Sequence, residues 1–495
     1  MILGISAGFH DAAITLLNHR GDIVFAGHSE RYSKIKNDPD ISLELLNEIT
    51  KYNIDTIAYY ETPWKKQLRR AISGEGIEFD KITVKQILSK QLGKTVDIKS
   101  KKIASYNHHL SHAAAGFQTS SFDRATIVVI DAIGEFDTIS IWGAEYNHMG
   151  VAKYKLLWKQ NYPNSIGLFY SAMTQRVGLK PMEDEYILMG MSAYGVHSDQ
   201  FSYFLKNYLI DNEREITFKH NLHIGVGDNF CANMDNFIIA RGAQDLAENL
   251  IYNLMRKAKD FNWSNNLVYM GGVALNCLAN RNLGDYFEKI WIMPNPGDAG
   301  SSLGAAALAY GRSINWGNAY LGHNIDGMYP VNELLDNLLK NKIVGVASGR
   351  AEFGPRALGN RSLLADPRGK EIKDKVNSIK RRQKFRPFAP VILEEMAKQY
   401  FDFPNNWDNS RYMQTVAVCK YPDLFPAICH VDGTSRVQTV PKDGSGIREL
   451  LEKWYVLTGC PMLLNTSLNI KGEPMVNDRD DADRFENLYG VKVCS

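Results

Sequence analysis

One layout occurs twice in this chain and limits what it can fold into. Residues 2–6 (ILGIS) and 12–17 (AAITLL) are short apolar, β-branched runs separated by the small-residue turn AGFHD, and 23–27 (IVFAG) is a third. Such runs bounded by turn residues read as strands, so the chain opens on an antiparallel meander. The same order returns as RATIVVID (124–131), the turn AIGEFD (132–137) and TISIWGAEY (138–146). Identity between the two is slight, so the repeat is one of architecture: two strand-turn-strand units facing a common cleft. With 495 residues, 44% of them apolar, the chain has enough material for two or three cores. The polar, turn-rich stretch GRSINWGNAYLGHNIDGMYP marks a boundary, so domains are expected over 1–325 and 340–495.

Composition narrows the class further. A net charge of +2 gives no global pull toward nucleic acid or a membrane surface. The six cysteines (231, 277, 419, 429, 460 and 494) have no CxxC spacing, which argues against a disulfide scaffold or a cysteine–zinc site and suits a reducing compartment. The opening MILGISAGFHDAAITLL lacks a basic start and carries His10 and Asp11 inside its apolar run, so it reads as a strand pair and not a signal peptide. No stretch reaches the roughly 18 uninterrupted apolar residues of a membrane helix. A cytoplasmic protein without a membrane segment is the expectation.

Several side chains then stand out. NHHLSHAAAGFQTSSF (107–122) is small and helical, ending at Ser120 and Ser121; it sets His108 and His112 one turn apart on one face, with His109 three before His112. Converging imidazoles hold a metal when carboxylates complete the shell, and Asp131 at a strand end and Asp298 in a glycine loop are suitable donors. Such a set suits iron, manganese or zinc, and spacing does not choose among them. The plainer alternative is a surface or capping role for the histidines. His10, in the first turn, has the pKa range of a general base for a hydroxyl nucleophile; the plainer alternative there is a turn histidine with no role. LVYMGGVALNCLANRNL (267–283) reads as strand, glycine turn and helix, with Gly271 and Gly272 leaving backbone open to a ligand and Asn276 just beyond. WIMPNPGDAGSSLGAAALAYG (291–311) reads as strand, polar loop and a helix from Ser301 whose first N–H groups suit an anion. Neither matches GxxxxGK[ST] or GxGxxG, so a P-loop kinase and a Rossmann dehydrogenase are not supported.

The stretch from Arg350 to Arg386 holds twelve Lys/Arg against four Asp/Glu. EFGPRALGNRSLLADPR (352–368) sets Arg356, Arg361 and Arg368 around Gly-Pro and Asp-Pro turns; KRRQKFRPFAP (380–390) adds Lys380, Arg382 and Arg386. Arginines beside prolines are held in place, as bidentate binding of phosphate or carboxylate requires. HVDGTSRVQTV (430–440) supplies His430, Asp432, Arg436 and Gln438, and NTSLNIKGEPMV (465–476) supplies Asn465, Thr466, Ser467 and Asn469. Ser467 has no GxSxG context. Both stretches read as hydrogen-bonding walls of a polar small-molecule pocket.

Two strand-turn-strand units around a cleft are also the layout of actin-like sugar kinases, but a more specific resemblance covers nearly the whole chain. GISAGFHDAAITLL (4–17), NHHLSHAAAGF (107–117), SIGLFYSAMTQRVGL (165–179), MGMSAYG (189–195), GGVALNC (271–277) and PNPGDAGSSLGAA (294–306), followed in order by the four later stretches, resemble the O-carbamoyltransferases of antibiotic biosynthesis and nodulation-factor modification. That resemblance implies an α/β protein. Its N-terminal domain would be a duplicated actin-like (ASKHA) unit binding metal and nucleotide and transferring a carbamoyl group. Its second α/β domain would resemble the threonylcarbamoyl-adenylate synthase fold and form carbamoyl adenylate. The implied reaction is ATP-dependent: carbamoyl phosphate is activated as carbamoyl adenylate, and the carbamoyl group passes to a hydroxyl of a small molecule, sugar or nucleotide.

Carried over residue by residue, the resemblance makes His108, His112, Asp131 and Asp298 the metal ligands, with iron expected ahead of manganese or zinc. Gly134, Gly271, Gly272 and Asn276 become part of a nucleotide cradle, and His10 the acceptor-site base. Arg356 and Arg386, with Lys380, Arg436, Asn465, Ser467 and Asn469, become the carbamoyl phosphate and ATP site. The turn DAIGE departs from the family pattern in carrying Ala132 where a second glycine is usual. Residues 196–265 hold no family motif and are assigned to acceptor binding. The acceptor (a modified nucleotide included) and the oligomeric state (a homodimer included) stay open.

Three other readings compete. Threonylcarbamoyl transfer to tRNA adenosine is disfavoured because both halves share one polypeptide and the histidine motif reads NHHLSHAAAGF. An actin-like ATP-dependent kinase is disfavoured by the 350–390 basic block and by the lack of a recognisable kinase substrate domain. A nucleic-acid-binding module would show strongly salt-dependent retention, and aromatic interleaving is sparse. Stable nucleic-acid binding is not expected.

Overall fold

The structure is a computed structural model that describes residues 1–93, 95–227 and 229–495. One sheet plan is used twice. β1 (Ile2–Ser6), β2 (Ala13–Leu17) and β3 (Ile23–His28) form an antiparallel meander, and β4 (Thr56–Tyr59) and β5 (Lys102–Ser105) extend it in parallel beyond β1, giving the order β3-β2-β1-β4-β5. β6 (Arg124–Gly134), β7 (Asp137–Tyr146), β8 (Ala152–Asn161), β9 (Asn266–Met270) and β10 (Lys289–Trp291) repeat it as β8-β7-β6-β9-β10 with the same strand directions. This is the duplicated actin-like architecture that the repeated layout predicts. β1 and β2 are buried at every position, which is why they read as continuous apolar runs.

A helix follows the fifth strand of each unit, and these two lie against one another between the sheets. They are α2 (His108–Thr119) and α5 (Ser301–Tyr310), while α1 (Pro63–Ile72) follows β4. Their small residues permit close contact: Gln118 Nε2 donates to the Ala307 carbonyl at 2.8 Å, and Ser302 Oγ meets Thr15 Oγ1 of β2 at 2.9 Å. Asn107 caps α2, its side chain accepting from the Leu110 N–H at 3.0 Å, so His108 starts the first turn. α3 (Ile166–Arg176) and α4 (Asn236–Asp260) cover the other face of the second sheet. Apolar residues of 196–265 from Phe201 to Ala258 join that core, and among the described residues of that stretch Leu222, His223, Ile224 and Ala247 line the large cavity described below.

The C-terminal half has its own core around a six-stranded mixed sheet. Its strands are β11 (Ile343–Ala347), β12 (Arg361–Ala365), β13 (Ala389–Leu393), β14 (Gln438–Val440), β15 (Met462–Ser467) and β16 (Val493–Cys494), ordered β14-β13-β15-β12-β11-β16. The halves are stitched together. Tyr320–Ile325 pairs with Gly349–Glu352, Arg350 Nη2 donates to the Val24 carbonyl at 2.8 Å, and Phe353 is buried in the first core. No helix among the described residues is long and apolar enough to cross a membrane.

His28 sits at this junction and gives it an acid-sensitive point. Its Nε2 lies 2.9 Å from Asn295 Nδ2, and its ring meets Phe353 edge-on at 5.2 Å. Burial, reinforced by Arg31, pushes its pKa down to about 4 from 6.5. Above the unfolded value nothing changes. As pH falls through that window, the unfolded chain takes up a proton that the folded chain refuses. Stability is thus expected to fall by about 3 kcal/mol as pH reaches 4. His28→Asn should remove this share of the slope, read by denaturant unfolding of both proteins at neutral and mildly acidic pH.

Candidate active site

The first turns of α2, the end of β6 and the loop before α5 converge on one point. His108 and His112 bring their Nε2 atoms to 3.1 Å from one another. Asp131 Oδ2 lies 3.1 Å from His108 Nε2 and 3.5 Å from His112 Nε2, and Asp298 Oδ1 lies 3.3 Å from both. One ligand atom from each residue falls within 4.8 Å of the others. The outer ring nitrogens face His112's neighbour, the Pro296 carbonyl at 3.0 Å, and His108's neighbour, the Glu61 carboxylate at 3.3 Å. Both groups accept, so both Nδ1 atoms carry a proton, and a cation between the side chains would displace the inward protons and take the Nε2 lone pairs. Two inward imidazoles with two carboxylates form a donor set that fits a divalent cation. The charges agree. Burial alone would lower the imidazole pKa values, but the aspartates outweigh it and raise them. Burial alone would raise the aspartates, but the histidines hold them well below the usual carboxylate range. His109, by contrast, turns into the core and meets Ser140 Oγ at 2.7 Å.

Two buried glutamates that sequence reasoning missed hold this helix in place. Glu61 backs His108. Glu135, in the quoted turn DAIGE, accepts from the Thr62 N–H at 2.6 Å, the His108 N–H at 3.3 Å and Asn107 Nδ2 at 3.1 Å. Its carboxylate therefore caps the starts of α1 and α2 together, where helix N–H groups favour an anion. The only signal for it was its place four residues after Asp131.

The glycines divide. A Cβ on Gly134 would stand 2.3 Å from His108 Cδ2, so this glycine makes room for the His108 ring and does not line the cavity. Gly271 (φ +91) lets the chain cross β6, where a Cβ would stand 2.1 Å from the Ile130 carbonyl oxygen, and it too is absent from the cavity wall. Close packing is the role the structure gives these two. Gly272 and Asn276 do face the cavity; Gly272 N–H donates to Asp131 Oδ1 at 3.4 Å, and Asn276 pairs with the Gln244 amide at 3.1 Å. Gly134→Ala is expected to tilt His108, weaken metal retention roughly tenfold and cost about 1–3 kcal/mol of stability. Metal content after dialysis and thermal unfolding check both effects.

A single cavity of about 1250 Å³ runs from this cluster to the C-terminal half. His10, Asp131, Gly272, Asn276 and Asp298 line one end; Arg356, Lys380, Arg382, Arg386, Arg436, Asn465, Ser467 and Asn469 line the other. His10 lies 3.5 Å from Asp11 Oδ2. Burial lowers its pKa, but Asp11, Asp298 and Asp131 outweigh burial and raise it to about 9. A cation sharing the charge of Asp131 and Asp298 would bring it back down, toward the range of the general base the sequence suggests.

At the far end the cations have little to offset them. Arg356 donates only to the Leu275 carbonyl, at 3.4 Å, and Arg386 lies over the Tyr186 ring at 4.8 Å. Arg382 is held by Asn377 Oδ1 at 2.7 Å and by the Phe388 ring at 4.1 Å. Lys380 donates to the Ser467 carbonyl at 2.6 Å and to Asn469 Oδ1. Burial and then neighbouring cations pull Arg356 and Arg382 down to about 9 and Lys380 well below the usual lysine range, and no carboxylate figures among the charges acting on them. Asn465 is tied to the Ala357 carbonyl at 3.0 Å and to Gln438 at 2.8 Å, leaving its own buried Oδ1 without a partner. Such a wall suits an anionic ligand. Two arginines singled out in the same segment are elsewhere: Arg361 is fully buried among carbonyls, and Arg368 clamps Asp366 at 2.8 Å.

The sequence matches two family models in tandem, Carbamoyltransferase N-terminus over residues 66–307 and Carbamoyltransferase C-terminus over residues 335–493. The chain belongs to the carbamoyltransferase family. It is 30% identical to the nodulation protein NolNO of Sinorhizobium fredii over 96% of this chain and 76% of that protein. It is 31% identical to the uncharacterized protein sll1178 of Synechocystis sp. over 98% of this chain and 93% of that one. Among solved structures, full-length HypF in its phosphate- and nucleotide-bound form is 14% identical, overlapping 62% of this chain and 55% of that chain with a TM-score of 0.35. The protein is thus an enzyme, and the cavity of this carbamoyltransferase draws its walls from both matched regions.

Proposed function

We propose that this carbamoyltransferase activates carbamoyl phosphate with ATP, as carbamoyl adenylate, and passes the carbamoyl group to an acceptor hydroxyl. The observation that carries the reading is the shared cavity, with an uncompensated cationic wall at one end and the imidazole–carboxylate cluster at the other. Water first cleaves carbamoyl phosphate to carbamate and phosphate. A carbamate oxygen then attacks the α-phosphorus of ATP, forming the mixed anhydride and releasing pyrophosphate, and AMP leaves when the acceptor oxygen takes the carbamoyl carbon. All reactants on that side are anions, which Arg356, Arg382 and Arg386 would hold and neutralise. Lys380, fixed by Ser467 and Asn469, would place a point charge among the phosphates. A divalent cation held by His108, His112, Asp131 and Asp298 would supply positive charge for developing negative charge on oxygen. Gly272 N–H keeps Asp131 turned toward that cluster. His10 would move the proton of the acceptor hydroxyl, which we take to belong to a small molecule, sugar or nucleotide; the cytoplasm is the setting that its substrates require.

The test uses purified protein, ATP and isotopically labelled carbamoyl phosphate without acceptor. Labelled carbamoyl adenylate is expected by mass spectrometry. Arg356→Ala should abolish it, whereas His10→Ala should keep it and lose roughly 10²–10⁴-fold in transfer. Absence of carbamoyl-phosphate-dependent nucleotide turnover, with and without hydroxyl acceptors, would overturn the proposal. Equal loss of the first step in both folded variants would overturn the division of roles.

A further inference from the structure

We propose that Glu61 is a positioning residue of the metal centre, fixing the His108 imidazole from behind and tying it to Lys66 at the cavity wall. The inference rests on the reading that the four-residue cluster holds a divalent cation. Glu61 follows β4, and its carbonyl accepts from Ser105 Oγ at the end of β5 at 2.7 Å, so its backbone is pinned across the sheet. Its side chain is 0% exposed. A carboxylate removed from water this completely persists only with charged or hydrogen-bonded partners. Glu61 has two: Oε2 lies 3.3 Å from His108 Nδ1 and 3.1 Å from Lys66 Nζ.

The same oxygen serves both partners. An ion pair with Lys66 alone would not need the imidazole, and an orienting hydrogen bond alone would not need the lysine. Together they give the fully buried carboxylate two donors beside the His108 ring. The rest of the ring is confined as well, by Tyr60 at 5.2 Å between ring centres and by the missing side chain of Gly134. His112 differs, since its Nδ1 meets only a peptide carbonyl. A carboxylate behind a ligand imidazole raises its basicity more than a carbonyl does. His108 is therefore the stronger donor of the two. Lys66 carries the arrangement to the substrate side: its ammonium sits 4.0 Å from the Phe9 ring centre and lines the cavity next to His10.

The test measures metal affinity directly. Full-length protein stripped of metal is titrated with Co²⁺, read by its visible d–d bands in competition with a chelator. Glu61→Gln keeps the shape and removes the charge. Because it strands Lys66, it is paired with the double variant Glu61→Gln/Lys66→Met, which removes both charges and protects folding. Either folded variant is expected to bind Co²⁺ roughly 10–100-fold more weakly than wild type, with altered band intensities. A folded variant whose affinity stays within about twofold of wild type would overturn the role. A second measurement needs no variant. In Co²⁺-loaded wild type, both Nδ1–H protons should appear as hyperfine-shifted NMR signals that exchange slowly with solvent, one held by Glu61 and one by Pro296. A single slow signal would overturn the Glu61 hydrogen bond. Wild type that binds no Co²⁺ would overturn the metal centre itself, and this inference with it.

Discussion

Replacing His112 with alanine is expected to release the divalent metal and to slow carbamoyl transfer by roughly 10³-fold, the effect of losing about 4 kcal/mol of charge stabilisation. Of the two histidines it is the cleaner test. His108 also engages Glu61, Tyr60 and the Gly134 backbone, so its loss would disturb the fold around it. His112 gives up only one outer contact, to the Pro296 carbonyl. Without it, Asp131 and Asp298 share a single imidazole, and less opposing charge holds the two carboxyls down. Elemental analysis of the purified variant, its turnover and its thermal unfolding separate the outcomes. Full metal content with normal turnover would mean that the cluster is not the centre of the reaction. Loss of both, with an unfolding temperature close to that of wild type, is the expected result.

The parts of this site legible in the sequence are those whose signal is local. HxxxH on a short small-residue helix puts two imidazoles on one face whatever surrounds them. An aspartate closing an apolar run marks a strand end in the same way. The repeated meander also announces itself, because each unit spells its strands and turns in order. What stays hidden depends on partners distant in the chain. Glu61 ends the apolar run IAYYE without a motif, and its imidazole partner lies 47 residues on. Gly134 and Gly271 signal that something comes close, but not that the neighbours are a histidine ring and a strand carbonyl. His10 is a further case. Its residue type suggests a base, while the charge that surrounds it comes first from neighbouring Asp11 and then from Asp298 and Asp131 on other elements.

The basic segment shows the same limit most sharply, and it yields the second large effect. Arg361→Ala is expected to unfold the C-terminal half, whereas Arg356→Ala should leave it folded and inactive. Both arginines follow the same Gly-Pro turn. Arg361, however, begins β12, and pairing with β11 and β15 aims its side chain into the core, where it is 0% exposed. There its guanidinium donates to the carbonyls of Asn477 (3.0 Å), Ser348 (3.0 Å), Asn360 (2.9 Å), His323 (3.1 Å) and Gly349 (3.1 Å). Every N–H is used, and five carbonyls on four backbone segments are held by one planar group. Alanine would strand those carbonyls away from water at about 1–3 kcal/mol each, relaxation reducing the sum. Even a loss of about 5 kcal/mol equals the lower range of a whole domain's stability. Lysine cannot substitute, having three donors and no fork. Arg356 makes one long hydrogen bond and lies against other cations, so its removal relieves repulsion. The unfolding temperature should therefore drop sharply for Arg361→Ala and hold or rise for Arg356→Ala, while adenylate formation disappears in both. If Arg361→Ala instead stays folded with normal metal content and loses only the first step, the arginine would belong to the anion site after all, reached through a rearranged β12.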